Sequence, residues 1–535
     1  MSDLQFDVII VGAGPAGLAA AWQLARLASG GLKIAVLEKS ARIGGHLLSG
    51  ALFDPADLPA FATTSPPPLG PAVRDESLHL LTRSHALPVP RLWHHRGCHL
   101  LSLPRLARWL ASQAEQAGVE LYPGFVAADL LWEQDRLVGV LTGDQGRDAW
   151  GRPKTGFQPG LALRAPLTIL AEGCRGHLTR AVIERLALDQ GVPPQTYGLG
   201  FKEVWEIPEE NASPPGTIQH TLGWPLDHAT YGGGFVYSLA ADRLAVGWVV
   251  GLDYRDPGLD PFLAFQRWKG HPRIRRGLTG GRPVAFGART LVEGGWQALP
   301  RLIFDGGLLV GDGAGFLNAA RLKGIGNALH SGSSAAEAVM EAFAQGDFSV
   351  HGLRGYPERI AAAAWFADLR AVRNVRPGFR WGLMPGVIHG ALEWASRGKF
   401  PWTWRWKLAD RARLRAVSDA GLVAAAPEVA FWSLDRPAAL ALSALTQRVD
   451  QPAHVQVRDL RLPLAEGRTR FANPETRFCP AGVFEWKAPP DVVEPIWRLH
   501  ADRCLHCKCC DIKDPLDNLR WTPPEGGGGP DYGAL

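Results

Sequence analysis

The sequence predicts a chain of mixed α/β and α+β class, in which a Rossmann-like parallel sheet is joined to an antiparallel-sheet domain and a small cysteine-rich domain. Three observations carry this reading. A strand–glycine turn–helix unit opens the chain, residues 217–250 alternate apolar and polar positions, and four of the seven cysteines crowd between Cys504 and Cys510. At 535 residues, and with roughly 150 residues to a domain, three or four domains are expected. Hydrophobic residues at 46% and charged residues at 20% describe an ordinary globular chain and exclude a disordered one. A net charge of +5 is too weak a bias to point to nucleic acid; it suits an anionic membrane surface or an acidic partner.

The opening unit comes first. Residues 6–11 read as a short buried strand. Gly12-Ala-Gly14-Pro-Ala-Gly17 follows, then a helical run from Leu18 to Leu27, then a second strand that ends at Glu38. The apolar run Val8 to Ala25 could pass for a signal or a span. Its glycines, Pro15 and the missing basic n-region fit a strand–turn–helix better. No other stretch reaches about 18 uncharged apolar residues, so no spanning helix is expected. Gly12 allows the tight turn, Gly14 admits a pyrophosphate, and Gly17 lets helix and strand pack closely. The helix N-terminus supplies N–H donors for phosphate, and Glu38 can accept hydrogen bonds from ribose hydroxyls.

That motif does not separate FAD from NAD, but two later segments do. Residues 167–176, which contain Gly173 and Cys174, look like the strand and turn that recross the nucleotide in FAD folds. Residues 307–315 look like the second FAD signature, with the Asp312 carboxylate placed for the ribityl chain. Three segments in this order predict FAD in a glutathione-reductase-type domain. Cys174 reads as a packed core residue.

The C-terminal cysteines read Cys504-x-x-Cys507-x-x-Cys510, with Cys479-Pro480 upstream. Three thiolates at this spacing and one remote cysteine form a ferredoxin pattern, which predicts a [4Fe–4S] cluster on Cys479, Cys504, Cys507 and Cys510. Zinc is the competitor, although it favours separated Cys-x2-Cys pairs or Cys with His. Cys509 points away from its neighbours in this spacing and reads as a non-ligand, and His506 as a neighbour of the cluster. Clustered thiols suit a reducing, cytoplasmic compartment.

In the middle, residues 217–250 predict an antiparallel sheet. Tyr231-Gly232-Gly233-Gly234 bends one strand and bares its backbone to a ligand, or forms a plain bulge. Residues 375–407 mix Trp381, Trp394, Trp402, Trp404 and Trp406 with basic residues, which suits a segment lying on a membrane surface. A helix pair with a solvated basic face is the other reading. Residues 87–104, with Leu92, Trp93 and Leu100–Leu103, are a second such segment.

With both ends read, the chain resembles the electron-transfer flavoprotein–ubiquinone oxidoreductase family over nearly its full length. The resemblance rests on Glu38-Lys39 with His46-Leu-Leu-Ser-Gly50, Ala171-Glu-Gly-Cys-Arg-Gly-His-Leu178, Tyr231-Gly-Gly-Gly-Phe-Val-Tyr237, Lys323-Gly324, and the cysteine tail with Pro523-Pro-Glu-Gly-Gly-Gly-Gly-Pro530. It implies a quinone headgroup at the backbone of Gly232 and Gly233, and adds Lys39, Gly324 and Asn327 to the FAD set. It implies electrons arriving from a two-subunit electron-transfer flavoprotein and leaving to membrane quinone, in a monotopic protein on the cytoplasmic face of the inner membrane. The implied domains are FAD-binding (1–80, 105–190, 300–345), quinone-binding (85–104, 195–299), helical and membrane-associating (346–450), and ferredoxin-like (451–535). Two positions depart from the family: Gly234 stands where Ser is common, and Ile325-Gly326-Asn327 where Thr residues are. An isoprenoid reductase of the geranylgeranyl type shares the FAD fold and is the alternative function. A zinc-stapled, FAD-binding interaction protein without turnover is the other.

Overall fold

Val8–Val11 is Val-Ile-Ile-Val with all four residues buried, the pattern of a strand covered on both faces. It sits inside a six-stranded sheet, parallel to Ile34–Glu38 on one side and Leu167–Leu170 on the other. Glu120–Pro123 extends one edge, and Gly307–Leu309 with the short antiparallel Ile303–Phe304 the other. The computed structural model describes residues 3–59, 65–90, 94–417, 434–487 and 496–535. Pro15 opens the helix Pro15–Ala28, where its missing N–H costs nothing. That helix packs against Ile325–Gln345 so closely that a Cβ on Gly332 would lie 2.1 Å from the Ala16 carbonyl oxygen.

The second sheet has seven strands in the order Arg282–Val292, Tyr197–Glu206, Arg243–Gly251, Gly232–Ala240, Thr217–Gly223, Asp75–Leu81, Ala86–Pro88. All pairs are antiparallel except Thr217–Gly223 with Asp75–Leu81. Residues 75–80 therefore sit in this sheet and not with the nucleotide domain, where the expected boundary at residue 80 puts them. A strand joined in parallel across more than a hundred residues leaves no mark in the local pattern. Along one register line Lys202 faces Gly247, Gly247 faces Phe235, and Phe235 faces His220. Gly234 lies on the opposite face, where a Cβ would meet the Trp268 ring at 2.4 Å, so in this chain the extra atoms of a Ser have no room.

Helices Gly355–Ala362, Ala364–Ala371 and Leu383–Ala395 follow the nucleotide domain. They are tied to the second sheet by buried charge. Arg376 donates to Glu293 at 2.8 Å and to Asp253 at 2.9 Å, and stacks on Tyr231 with its guanidinium carbon 4.0 Å from the ring centre. Leu100, Leu101 and Leu103, expected in a second membrane segment, are instead buried in the core. Leu92 and Trp93 lie outside the described residues. The C-terminal region has little core of its own. Cys504, Cys507, Cys510 and Trp521 share one apolar cluster with Phe201, Trp248 and Phe265 of the second sheet and its covering helix.

Candidate redox site

One cavity of about 700 Å³ runs along the nucleotide sheet, beneath the seven-stranded sheet and out beside the helix Leu383–Ala395. The nucleotide end is built from the opening turn. Gly12 has φ of +108°, and a Cβ there would lie 2.5 Å from the Ala171 carbonyl oxygen. A Cβ on Gly17 would lie 2.1 Å from the Gly12 carbonyl oxygen, whereas Gly14 meets only Leu47, at 4.0 Å, and leaves the backbone bare towards the cavity. Glu38 is held by backbone donors: Ala13 N–H at 3.1 Å and Ser40 N–H at 2.9 Å. Both carboxylate oxygens keep lone pairs for a ribose.

Across the cavity stand Gly173, Asp312 and Gly324. Asp312 takes no hydrogen bond from the described residues, and its removal from bulk water pushes its carboxyl up to about 6. A bare carboxylate facing a cavity fits a hydroxylated chain. The helix Ile325–Gln345 starts at Gly324 and directs its N-terminus at the same space. Lys39 lines the cavity beside His46, and burial lowers its ammonium to about 7. Asn327 departs from expectation. Its amide donates to the Phe316 carbonyl at 2.8 Å and it does not line the cavity, so it holds the chain rather than a ligand. The sequence reading passed over Glu172. It accepts from Thr179 N–H at 2.6 Å and Thr179 Oγ1 at 2.8 Å, and pairs with His177. Burial works against its charge, but His177 and these donors hold the carboxyl down to about 2.

The cysteine loop closes against this site. His506 and Lys508 adopt φ of +54° and +65°, so the backbone turns twice between Cys504 and Cys510. All four expected ligands are buried thiols. Burial pushes Cys504 up to about 12 and raises Cys507 and Cys510 well above the ordinary thiol range, with the neighbouring sulfurs adding to the effect. The surroundings fit a charged sulfur-rich group. His506 N–H points to Cys504 Sγ at 3.3 Å and Val483 N–H to Cys479 Sγ at 3.4 Å. The Trp521 indole N–H is buried beside Cys504 with no oxygen or nitrogen partner. Cys509 turns away and donates to the Phe478 carbonyl at 3.6 Å. His454 and His506 also approach Cys504, but Gln447 holds both, at 3.2 and 3.0 Å.

Loop and nucleotide site are directly connected. Thr290 Oγ1 donates to the Cys507 carbonyl at 2.6 Å and lies 3.5 Å from Cys174 Sγ. Lys508 donates to the carbonyls of Cys174 and Arg175, and it lines the cavity. Cys174 is a core residue, as expected, and part of the cavity wall as well.

Comparisons with known proteins agree with this layout. Residues 197–291 match the family model described as "ETF-QO, ubiquinone-binding", and residues 430–533 match "Electron transfer flavoprotein-ubiquinone oxidoreductase, 4Fe-4S". Residues 10–71 match an NAD(P)-binding Rossmann-like domain. The mitochondrial electron transfer flavoprotein-ubiquinone oxidoreductase of Rattus norvegicus is 42% identical over 552 residues, covering 99% of this chain and 89% of the relative. This chain belongs to the electron transfer flavoprotein–ubiquinone oxidoreductase family. The Oryza sativa member is 40% identical, covering 99% of this chain and 93% of its own length. Membership makes the chain an oxidoreductase with FAD and a [4Fe–4S] cluster, and removes zinc as the reading of the cysteines. The cluster match begins at residue 430, ahead of the boundary expected at 451. Among solved structures, a geranylgeranyl bacteriochlorophyll reductase-like protein from Thermoplasma acidophilum has a TM-score of 0.53 at 18% identity, covering 75% of this chain and 89% of its own. That likeness shows the FAD fold alone.

Proposed function

We propose that this chain takes electrons from a reduced two-subunit electron-transfer flavoprotein and delivers them, by way of its [4Fe–4S] cluster and FAD, to a quinone drawn from a membrane. The observation that carries this reading is the single cavity. It joins the FAD glycines to Gly232 and Gly233 and opens at Val387, Gly390, Ala391 and Trp394 of the helix Leu383–Ala395. Cys479, Cys504, Cys507 and Cys510 hold the cluster. Gly12, Gly14, Gly17, Glu38, Lys39, Gly173, Asp312 and Gly324 hold FAD, and the backbone of Gly232 and Gly233 meets the quinone headgroup. Bound FAD exchanges one or two electrons and the cluster one, so single electrons add up to a two-electron product. The chain's own residues orient these groups and keep water from them.

The outer side of Leu383–Ala395 supports membrane docking. Met384, Ile388 and Leu392, one turn apart on the helix, are about half exposed, with Trp381, Trp394 and Trp402 beside them. Arg397, Lys399, Arg405 and Lys407 are exposed around this patch, as anionic lipid requires. No helix among the described residues is long and apolar enough to cross a membrane. Clustered thiols that ligate a metal suit a reducing compartment, and the docking face is the cytoplasmic face of the inner membrane.

The test is a titration of the protein in mild detergent with reduced electron-transfer flavoprotein and a short-chain quinone, followed by flavin absorbance and low-temperature EPR. The expected result is a reduced cluster signal, with both centres reoxidised by quinone. A flavin that answers a nicotinamide or ferredoxin donor and never quinone overturns the reading in favour of isoprenoid reduction.

A further inference from the structure

One wall of the cavity carries a chain of titratable side chains that neither FAD nor the cluster uses. His220 Nε2 lies 2.7 Å from the Tyr237 hydroxyl. His220 Nδ1 stands 3.9 Å from Glu76 Oε1. The same Glu76 oxygen lies 2.7 Å from His95 Nδ1, and Glu76 Oε2 accepts from the His95 N–H at 3.2 Å. Tyr237, His220 and Glu76 line the cavity, whereas His95 lies behind them, flanked by the exposed His94 and Arg96. The four residues come from strands Gly232–Ala240, Thr217–Gly223 and Asp75–Leu81 and from the stretch before His99–Leu101. Four remote segments thus place four ionisable groups in a row that leads from the cavity towards the surface. Such groups are costly to bury, and a core gains nothing from them that apolar residues would not supply.

The row also borders the same cavity as Gly232 and Gly233. Tyr237 stacks on Phe235 with ring centres 4.5 Å apart, on the strand that begins with Gly232 and Gly233. Reduction of a quinone to a quinol consumes two electrons and two protons, and a buried ring cannot take those protons directly from bulk water.

We propose that His95, Glu76, His220 and Tyr237 form a proton path from the protein surface to the quinone in the cavity. The proposal rests on the quinone-reductase reading above. In one passage the Tyr237 O–H bond breaks as an O–H bond forms on a quinone oxygen. The proton on His95 Nδ1 moves to the Glu76 carboxylate, Glu76 hands it on to His220 Nδ1, and the proton on His220 Nε2 moves to the tyrosine oxygen. His95 is reprotonated at Nε2, which is buried without a partner among the described residues, by a water molecule that enters beside the exposed His94 and Arg96. The net transfer is one proton from water to quinone, and no electron moves along the path. The 3.9 Å step closes by rotation of His220 or through a water molecule. Burial holds His220 down to about 4, so its ring is neutral near pH 7 and can accept at one nitrogen while it donates from the other. Burial opposes the charge on Glu76, but hydrogen bonds from His95 hold its carboxyl below the usual range.

Lys202 stands on the same register line, across Gly247 and Phe235 from His220. It is 3% exposed, lines the cavity and takes no partner among the described residues.

The test separates two half-reactions of the loaded enzyme by stopped flow: reduction by electron-transfer flavoprotein, and reoxidation by a short-chain quinone. In His220→Gln and Tyr237→Phe, the ratio of the quinone rate to the flavoprotein rate falls about 10²-fold, the usual size of a lost proton donor. The solvent deuterium effect on the quinone step grows, and added imidazole restores His220→Gly. A purely structural network would lower both rates together, along with FAD content, and imidazole would restore nothing. Either that pattern or a variant with the parent's ratio and isotope effect overturns the path. A parent enzyme that never reduces quinone overturns the function itself, a result the variants do not affect.

Discussion

The helix Pro15–Ala28 and the helix Leu383–Ala395 are nearly the same length and equally apolar to the eye, yet they end in opposite surroundings. Leu18, Ala19, Ala20, Ala21 and Leu24 of the first are fully buried beneath Ile325–Gln345 and Leu103–Gln116. Met384, Ile388 and Leu392 of the second face outward with nothing of the described chain over them. The difference teaches that apolar patterning says a surface will be covered, and not by what. The first helix is covered by protein because its own alanines and Gly332 of the facing helix let the two backbones approach. The second pairs an apolar stripe with a collar of Trp and basic residues, which is the demand of a lipid interface. The cavity connects the two, since Gly14 and Pro15 line one end and Val387 and Trp394 the other.

The largest effect separates the two helices outright. Leu18→Asp places a carboxylate where the parent side chain is 0% exposed, at a cost of about 5 kcal/mol or more. The expected product is a chain that fails to retain FAD, read from flavin absorbance after gel filtration. The double change Ile388→Asp with Leu392→Asp spends its charge on solvent and should move stability by about 0.5 kcal/mol or less per site. A Leu18→Asp protein that keeps its FAD and melts with the parent would erase the contrast.

The same double change sharpens the comparison from the other side. Withdrawing two apolar side chains from lipid removes about 1.5–3 kcal/mol each, so affinity for anionic vesicles should fall about 10²-fold or more. Vesicle co-sedimentation measures it. Unchanged binding with intact FAD would mean that this stripe is not the docking surface.

What could be read in the sequence follows the same division. The nucleotide glycines and Cys504, Cys507 and Cys510 were legible because their chemistry depends on spacing over a few residues. Asn327 misled: an amide in a cofactor-like segment looks the same whether it faces a ligand or the Phe316 carbonyl. The strand Asp75–Leu81 and the group Glu76, His95, His220 and Tyr237 were illegible for a plainer reason. Each member is an ordinary residue in its own segment, and only parallel pairing across the second sheet brings Glu76 to His220. Long-range register has no local signature.

The smallest effect tests the inner face of the exposed helix. Glu393 is 1% exposed; its Oε1 accepts from the Asn374 N–H at 3.1 Å, while Oε2 has no hydrogen-bond partner among the described residues. Burial pushes its carboxyl from an ordinary 4.5 up to about 7, against the pull of Asn374 and Arg373. The folded state therefore binds the proton more tightly than the unfolded chain. Stability from this group is present in full below about pH 4.5, is lost as pH rises towards 7, and changes little beyond that. Glu393→Gln keeps the shape and cannot ionise. Its melting temperature relative to the parent should rise by about 1–3 °C between pH 5 and pH 8. His389, 3.9 Å away and held below its ordinary range by burial, is a second ionisable group beside this carboxyl, so the series is repeated in a His389→Asn background. A difference that stays flat with pH would mean that Glu393 is charged throughout. The apolar helix would then carry a buried anion on its inner face, and the contrast with Pro15–Ala28 would lie in charge as well as in covering.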